Sequence, residues 1–123
     1  MFSVSFGEKF LQEFKCFPKA DQEKIIQFVD YVRKHGFVGL EGRNKSSINV
    51  LSTDPEFLAK VSYAREHNLW HYHIGIPEYT PDTPFGDRTS EWVLHYIRTD
   101  DTIKIIELGS HPPFKLPRQE YLK

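Results

Sequence analysis

Four polar side chains able to do chemistry are predicted to share one face of a β-hairpin at residues 57–76. Apolar and polar residues alternate through both halves of this stretch, which is the period of a half-buried strand. Pairing of the two halves places Lys60 opposite His73 and Ser62 opposite His71. Histidine accepts or donates a proton near neutral pH, and lysine supplies fixed positive charge. We therefore predict that this polar face carries the chemistry and that the opposite, aromatic face forms the core.

Five further candidates lie outside the predicted hairpin. Arg98 lies at the end of a later predicted strand. Its planar guanidinium is able to donate two parallel hydrogen bonds to phosphate oxygens. His111 follows the last predicted strand, where loops often place catalytic groups. Lys115 and Arg118 lie in a proline-rich tail and would contact either a phosphate or a protein partner. Tyr79 lies in a proline-rich loop and would either stack on a base or hold the loop against the domain.

The two histidines of the hairpin also suggest a competing interpretation. His71 and His73 are two residues apart on one strand face, so both are able to bind a single metal ion. No HExxH or cysteine-pair motif accompanies them, and we predict neither a metal nor another cofactor. His95 alternates with apolar residues and is predicted to be structural. The residues nearby in sequence that would complete a metal site are Glu78, Asp82, Glu91 and His95.

The elements that must position these residues are predicted from hydrophobic periodicity and from helix-ending residues. Two amphipathic helices follow a first strand, and Gly36 is placed to end the second helix in a left-handed conformation. The fold class is therefore α+β, in the order β-α-α-β-β-β-β. Both helices cover one face of a mainly antiparallel sheet, and the other face is partly open. The predicted strands are residues 2–6, 57–64, 69–76, 91–99 and 102–108, and the predicted helices are residues 8–17 and 19–35. If Thr99 pairs with Thr102 in the last hairpin, Arg98 lies opposite Ile103 and Tyr96 lies opposite Ile105.

Length and composition limit the class of protein. The chain has 123 residues, which predicts a single domain, 1–123, with its own core. A net charge of −1 excludes a uniformly basic nucleic-acid coat, so a nucleic-acid site must be a local patch. The one cysteine, Cys16, is predicted to be a core thiol. There is no signal-peptide pattern and no apolar run of bilayer length, so a cytoplasmic location is expected.

The order of elements and the scatter of basic side chains resemble the RelE/ParE toxin superfamily of bacterial toxin–antitoxin modules. The resemblance covers nearly the whole chain as an element order, without a strict sequence motif. It implies a strand, a helical hairpin and a curved antiparallel sheet. In many members it also implies metal-free, ribosome-dependent cleavage of mRNA. The positions here that resemble the site residues of such toxins are Lys60, Arg65, Arg98 and His111.

We therefore expect a toxin that cleaves mRNA through attack of the ribose 2′-hydroxyl. Its expected partners are mRNA, the ribosome and a cognate antitoxin protein, with no membrane. Two alternatives stay open: a ParE-like toxin that inhibits a topoisomerase by binding, and a metal- or small-ligand-binding domain that uses His71 and His73. The expected catalytic residues are Lys60, His71, His73, Arg98 and His111, and the expected RNA-binding residues are Arg65, Tyr79, Lys115 and Arg118.

Overall fold

The computed structural model describes residues 2–48, 52–110 and 115–123, which contain three α-helices and five strands. No helix within these ranges is long and apolar enough to cross a membrane. The elements are β1 (Ser3–Phe6), α1 (Glu8–Phe14), α2 (Lys19–His35), β2 (Asn44–Ser46), α3 (Phe57–Glu66), β3 (Leu69–Tyr79), β4 (Ser90–Arg98), β5 (Thr102–Ser110) and a short 3-10 helix (Gln119–Tyr121).

The strands form one open, mixed sheet in the order β1-β5-β4-β3-β2. β1 runs parallel to β5, and the other three neighbouring pairs are antiparallel. The predictions of an α+β class and of a mainly antiparallel sheet are therefore confirmed. The β4–β5 hairpin also has the predicted register, since Tyr96 pairs with Ile105 and Arg98 pairs with Ile103.

The helices α1 and α2 pack on one face of the sheet, which we call the helical face. α2 has the predicted bounds and ends at Gly36, whose φ of 64° is one that glycine adopts without strain. α1 ends earlier than predicted, and Cys16 follows it in an exposed turn. The prediction of a core thiol is wrong because Phe14 and Phe17, on either side, pack against the core instead. The buried residues of this core are Phe10, Ile25, Phe28, Val29, Val32, Tyr72, Ile74, Ile76, Leu94, Tyr96, Ile103 and Ile105.

The predicted hairpin at residues 57–76 is wrong in its first half. Residues Phe57–Glu66 form α3, and only the part from Leu69 onward is a strand. Residues 57, 61 and 64 recur at helical spacing, so the apolar pattern of this segment fits a helix as well as a strand. Leucine, alanine, lysine, arginine and glutamate, which favour helices, fill most of the other positions. The element order is therefore β-α-α-β-α-β-β-β.

The other face of the sheet is covered as well, against the prediction of a partly open surface. Ala64 of α3 packs there against Leu69 and Ile106 and forms a second, smaller core. The Tyr63 hydroxyl of α3 donates a hydrogen bond to the carbonyl of Pro117 at 2.8 Å, which joins the helix to the C-terminal residues. α3 and these C-terminal residues therefore form a layer over this face.

Ion pairs and a backbone bridge join the proline-rich loop between β3 and β4 to the segment that precedes β2. Arg43 donates two hydrogen bonds to the Asp87 carboxylate, at 2.7 and 3.1 Å, and these contacts lower the pKa of Asp87. Arg88 pairs with Glu41, and the backbones of Gly42 and Arg88 form a bridge. The loop is therefore held in place beside β3.

Candidate active site

Three histidines lie side by side on the sheet face that α3 covers, which we call the histidine face. His71 and His73 lie on β3, and His95 on β4 is the Cα partner of His71. The ring centroids of His71 and His73 are 6.0 Å apart, and those of His71 and His95 are 6.2 Å apart. The three residues are 7%, 3% and 1% exposed. The sequence analysis predicted that His71 and His73 share a face, but it predicted an open face and a structural role for His95.

Two serines from distant parts of the chain contact these rings. The Ser47 hydroxyl oxygen lies 2.9 Å from Nδ1 of His71. The backbone N–H of Ser90 donates to Nδ1 of His73 at 2.9 Å, and the Ser90 carbonyl oxygen is equally close to that nitrogen. Nδ1 of His73 therefore has a donor beside it when it carries no proton and an acceptor when it is protonated. The Ser90 backbone therefore holds Nδ1 of His73 in either tautomer, so any proton exchange with a substrate would take place at Nε2.

His95 lies against a glycine of the neighbouring strand. A Cβ atom on Gly109 would be 3.1 Å from Nε2 of His95, so the missing side chain leaves room for the imidazole. Glu107, two residues earlier on β5, is the Cα partner of His95. Residues directly opposite each other share a sheet face. The histidine face therefore also has a carboxylate on its β5 side.

The Glu107 carboxylate is expected to make stability depend on pH. The pKa of Glu107 is raised from its ordinary value of 4.5 to about 7. Burial of the carboxylate is the main cause, and the negative charge of Glu13 adds to it. Between these values the folded state keeps a proton that the unfolded state has lost, so stability falls as the pH rises through this window. Glu107→Gln removes this loss. Because the carboxylate is partly exposed and solvent screens its charge, the variant is expected to gain about 1–2 kcal/mol in the free energy of unfolding relative to wild type as the pH rises.

Urea unfolding of wild type and Glu107→Gln, from below pH 4.5 to above pH 7, measures this difference in the free energy of unfolding. Glu23→Gln, on the exposed side of α2, controls for the removal of one surface carboxylate. A free-energy difference between wild type and Glu107→Gln that does not change with pH would contradict the raised pKa.

Lys60 is not the cross-strand partner of His73, because it lies on α3 rather than on a strand. Its ammonium contacts the Asp54 carboxylate at 2.7 Å. The hydrogen bond between them raises the pKa of Lys60 and lowers the pKa of Asp54. Ser62, expected opposite His71, is exposed on the same helix. The predicted pairing therefore fails for both residues, and the reason is the helical conformation of the segment.

Arg98 lies on the helical face, on the opposite side of the sheet from the histidines. Its guanidinium carbon is 4.4 Å from the ring centroid of Phe37 and 4.5 Å from that of Trp70. Trp70 and His71 are consecutive on β3 and so point to opposite faces. Arg98 therefore does not join the histidines, as the predicted catalytic set required. His111, the remaining member of that set, lies outside the described residues.

The four residues expected to bind RNA are dispersed over the surface. Arg65 is exposed in the last turn of α3, and Lys115 is exposed in the C-terminal segment. Arg118 makes an ion pair at 3.0 Å with the glutamate two residues later. The Tyr79 hydroxyl donates to the backbone carbonyl of His73 at 3.1 Å, and burial raises the pKa of Tyr79. Tyr79 was predicted either to stack on a base or to hold the loop against the domain, and this hydrogen bond fits the second role.

The described part of the chain contains no group of side chains that completes a metal site around His71 and His73. There, no three side chains of histidine, cysteine, aspartate or glutamate are arranged to hold a metal ion. Among the third ligands considered from the sequence, His95 lies beside His71, whereas Glu78, Asp82 and Glu91 are exposed. What the histidine face brings together is three imidazoles, two serines and a carboxylate, a set of proton donors and acceptors.

Sequence reasoning missed Ser47, Ser90 and Glu107. The two serines lie in turn-rich segments where serine is common, so their approach to the histidines left no sequence signal. The predicted register of β4 and β5 extrapolates to Ile106 as the partner of His95. A one-residue irregularity between His95 and Tyr96 brings Glu107 to that position instead.

Comparison with known proteins assigns no family. A scan against protein-family models found no match, and searches of curated proteins and of solved structures found none at a significant level. The resemblance to the RelE/ParE superfamily therefore stays a prediction. The function has to be inferred from the chemistry of the histidine face.

Proposed function

We propose that this protein is a toxin of a bacterial toxin–antitoxin module that cleaves RNA at its histidine face by metal-free acid–base chemistry. The observation that carries the proposal is the gathering of His71, His73 and His95 on one face of the sheet. Cleavage of RNA by its own 2′-hydroxyl needs a proton acceptor and a proton donor at one place. Imidazole serves in both roles near neutral pH. The resemblance of the element order to RelE-like toxins supports the same function.

In the proposed reaction, one imidazole takes the proton of the ribose 2′-hydroxyl, and the freed oxygen attacks the adjacent phosphorus. The bond between phosphorus and the 5′-oxygen breaks, and a protonated imidazole gives its proton to that oxygen. The products are a 2′,3′-cyclic phosphate and a 5′-hydroxyl end. We assign a proton transfer to Nε2 of His73, because the Ser90 backbone holds the ring through Nδ1. His71 and His95 are the candidates for the second transfer.

The histidines are almost fully buried, so an RNA phosphate reaches them only when the layer above them moves. α3 and the C-terminal residues belong to this layer, and the contacts of Ala64 and Tyr63 hold it down. A shift of the layer would admit the substrate. Its return would exclude water while the protons are transferred.

The proposed partners are ribosome-bound mRNA, in the cytoplasm, and a cognate antitoxin. We place the antitoxin on the helical hairpin, where a groove of about 450 Å³ lies between α1 and α2. Leu11 and Ile26 line this groove and are 47% and 57% exposed. Burial of these apolar side chains against an amphipathic segment of the antitoxin would favour binding.

Induction in growing cells, followed by mapping of mRNA 5′ ends, tests the proposal. Wild type is expected to arrest growth and to create new 5′-hydroxyl ends within translated regions. His73→Gln is expected to create none, because glutamine cannot transfer a proton. His67→Gln is the matched control, since His67 lies at the end of α3 beside the Tyr63 ring and outside the cluster.

Two outcomes would change the conclusion. Growth arrest without new mRNA ends would favour a toxin that acts by binding, such as an inhibitor of a topoisomerase. New ends at the wild-type level in His73→Gln, with an unchanged circular dichroism spectrum, would remove His73 from the reaction.

A further inference from the structure

A second site lies on the helical face, where aromatic rings hold the side chain of Arg98. The guanidinium carbon lies 4.4, 4.5 and 5.7 Å from the ring centroids of Phe37, Trp70 and Phe2. Phe2 and Phe37 also pack edge to face, with centroids 4.8 Å apart. Cation–π attraction to several rings limits the motion of the side chain. The guanidinium is therefore held at a defined place on the surface.

The N–H groups of this guanidinium remain available for a ligand. Among the residues that the structure describes, the Arg98 guanidinium makes no hydrogen bond and no ion pair. A cavity of about 580 Å³ opens beside it. The residues that line the cavity are Phe2, Lys34, His35, Gly36, Phe37, Val38 and Arg98.

On the α2 side, the cavity is lined by a basic residue, Lys34. Lys34 makes an ion pair with Asp30 at 3.1 Å, but both side chains are more than half exposed, so a competing anion can replace the carboxylate at little cost. Asp100 and Asp101 are exposed in the turn that follows β4. Because the chain has a net charge of −1, a local site of this kind is where a polyanion would bind.

We propose that this cavity binds a phosphodiester group of single-stranded RNA, with Arg98 as the phosphate ligand and Lys34 beside it. The phosphate chemistry follows from the geometry, whereas the assignment to RNA rests on the proposed function. A guanidinium held by rings presents its N–H groups in one plane, which matches two oxygens of a phosphate. Aromatic rings beside it offer surfaces on which unpaired bases stack. Arg98 is thus a binding residue on the helical face, apart from the histidines.

Binding of a short fluorescent 2′-O-methyl RNA, which has no 2′-hydroxyl to react, tests this site. Arg98→Gln is expected to raise the Kd about tenfold and to lower the slope of log K against log salt by about 0.7, the value of one single-strand phosphate contact. Lys34→Gln is expected to raise the Kd about threefold. Lys19→Gln, at the other end of the same helix, is the matched control and should bind like wild type.

The emission of Trp70 provides a second measurement at the site itself. In a Trp92→Phe background, Trp70 is the remaining tryptophan. Its emission is expected to change on titration with the RNA and to stay constant with inorganic phosphate at the same concentration. No change with RNA would overturn the site, and an equal change with inorganic phosphate would overturn the assignment to RNA.

Failure of this inference is distinguishable from failure of the proposed function. An active nuclease whose Kd and salt slope are unaffected by Arg98→Gln would overturn this site alone. A protein that binds RNA through Arg98 but leaves mRNA intact would overturn the proposed function alone. If Arg98→Gln does not fold, an unchanged Kd in Lys34→Gln, where the altered side chain is exposed, would overturn the site.

Discussion

His73→Gln is expected to slow the cleavage of bound RNA by about 10²–10⁴-fold, with little change in RNA affinity. Glutamine offers polar atoms to the backbone N–H and carbonyl of Ser90, which contact Nδ1 of His73 at 2.9 Å. It cannot accept a proton and release it again, so the loss should fall on the chemical step. Single-turnover cleavage of one mRNA in a purified translation system, with the toxin in excess, measures the rate constant.

The control for this experiment is His67→Gln, which changes the same side chain at the end of α3 and is expected to cleave at the wild-type rate. A substrate with a 2′-O-methyl group at the cleaved nucleotide should not react with wild type. If His73→Gln weakened RNA binding as much as it slowed the reaction, His73 would be a binding residue and not a proton-transfer residue.

Gly42→Ala is expected to lower the free energy of unfolding by about 3 kcal/mol or more, because its Cβ atom would overlap β3. That atom would lie 1.9 Å from the carbonyl oxygen of His73. To relieve the overlap, the chain must move away from β3 and lose two hydrogen bonds. These are the bond from the Gly42 N–H to the Tyr72 hydroxyl at 3.1 Å and the bond from the His73 N–H to the Arg43 carbonyl at 2.9 Å. Thermal unfolding should show a Tm lower by about 10 °C or more.

Gly86→Ala is the matched control for Gly42→Ala. The atom nearest to an added Cβ there is the Leu40 carbonyl oxygen at 3.9 Å, so the new methyl group meets no overlap. Its φ of 91° still disfavours alanine, which costs about 1 kcal/mol. Equal losses of stability in the two variants would show that the contact with β3 does not govern the effect at Gly42.

Elements with one clear period, or with end signals in the sequence, were predicted closely. α2 carries an acidic residue in its first turn, basic residues in its last turn and a glycine at its end, and its bounds are as predicted. The β4–β5 hairpin was placed in register because a two-residue acidic turn leaves few alternative pairings. In both cases the residues that determine the structure lie within the element itself or in the turn beside it.

The segment at residues 57–66 shows why the rest was not predictable. Its apolar residues fit a strand or a helix equally well, and the choice depends on contacts with residues far along the chain. Ala64 packs against Ile106, and the Tyr63 hydroxyl donates a hydrogen bond to the Pro117 carbonyl. Once this segment is helical, Lys60 pairs with Asp54 and leaves the predicted site.

The amino-acid order alone was sufficient to assign side chains to faces, because successive residues of a strand point to opposite sides whatever the rest of the chain does. This rule separated His71 and His73 from the aromatic residues that now fill the helical face. Three-dimensional folding settled which residues meet on each face. Long-range packing buried the histidines, brought Ser47 and Ser90 to the rings of His71 and His73 and placed Arg98 on the other side of the sheet. The two serine contacts join residues that are 24 and 17 positions apart, and no local sequence pattern indicates them.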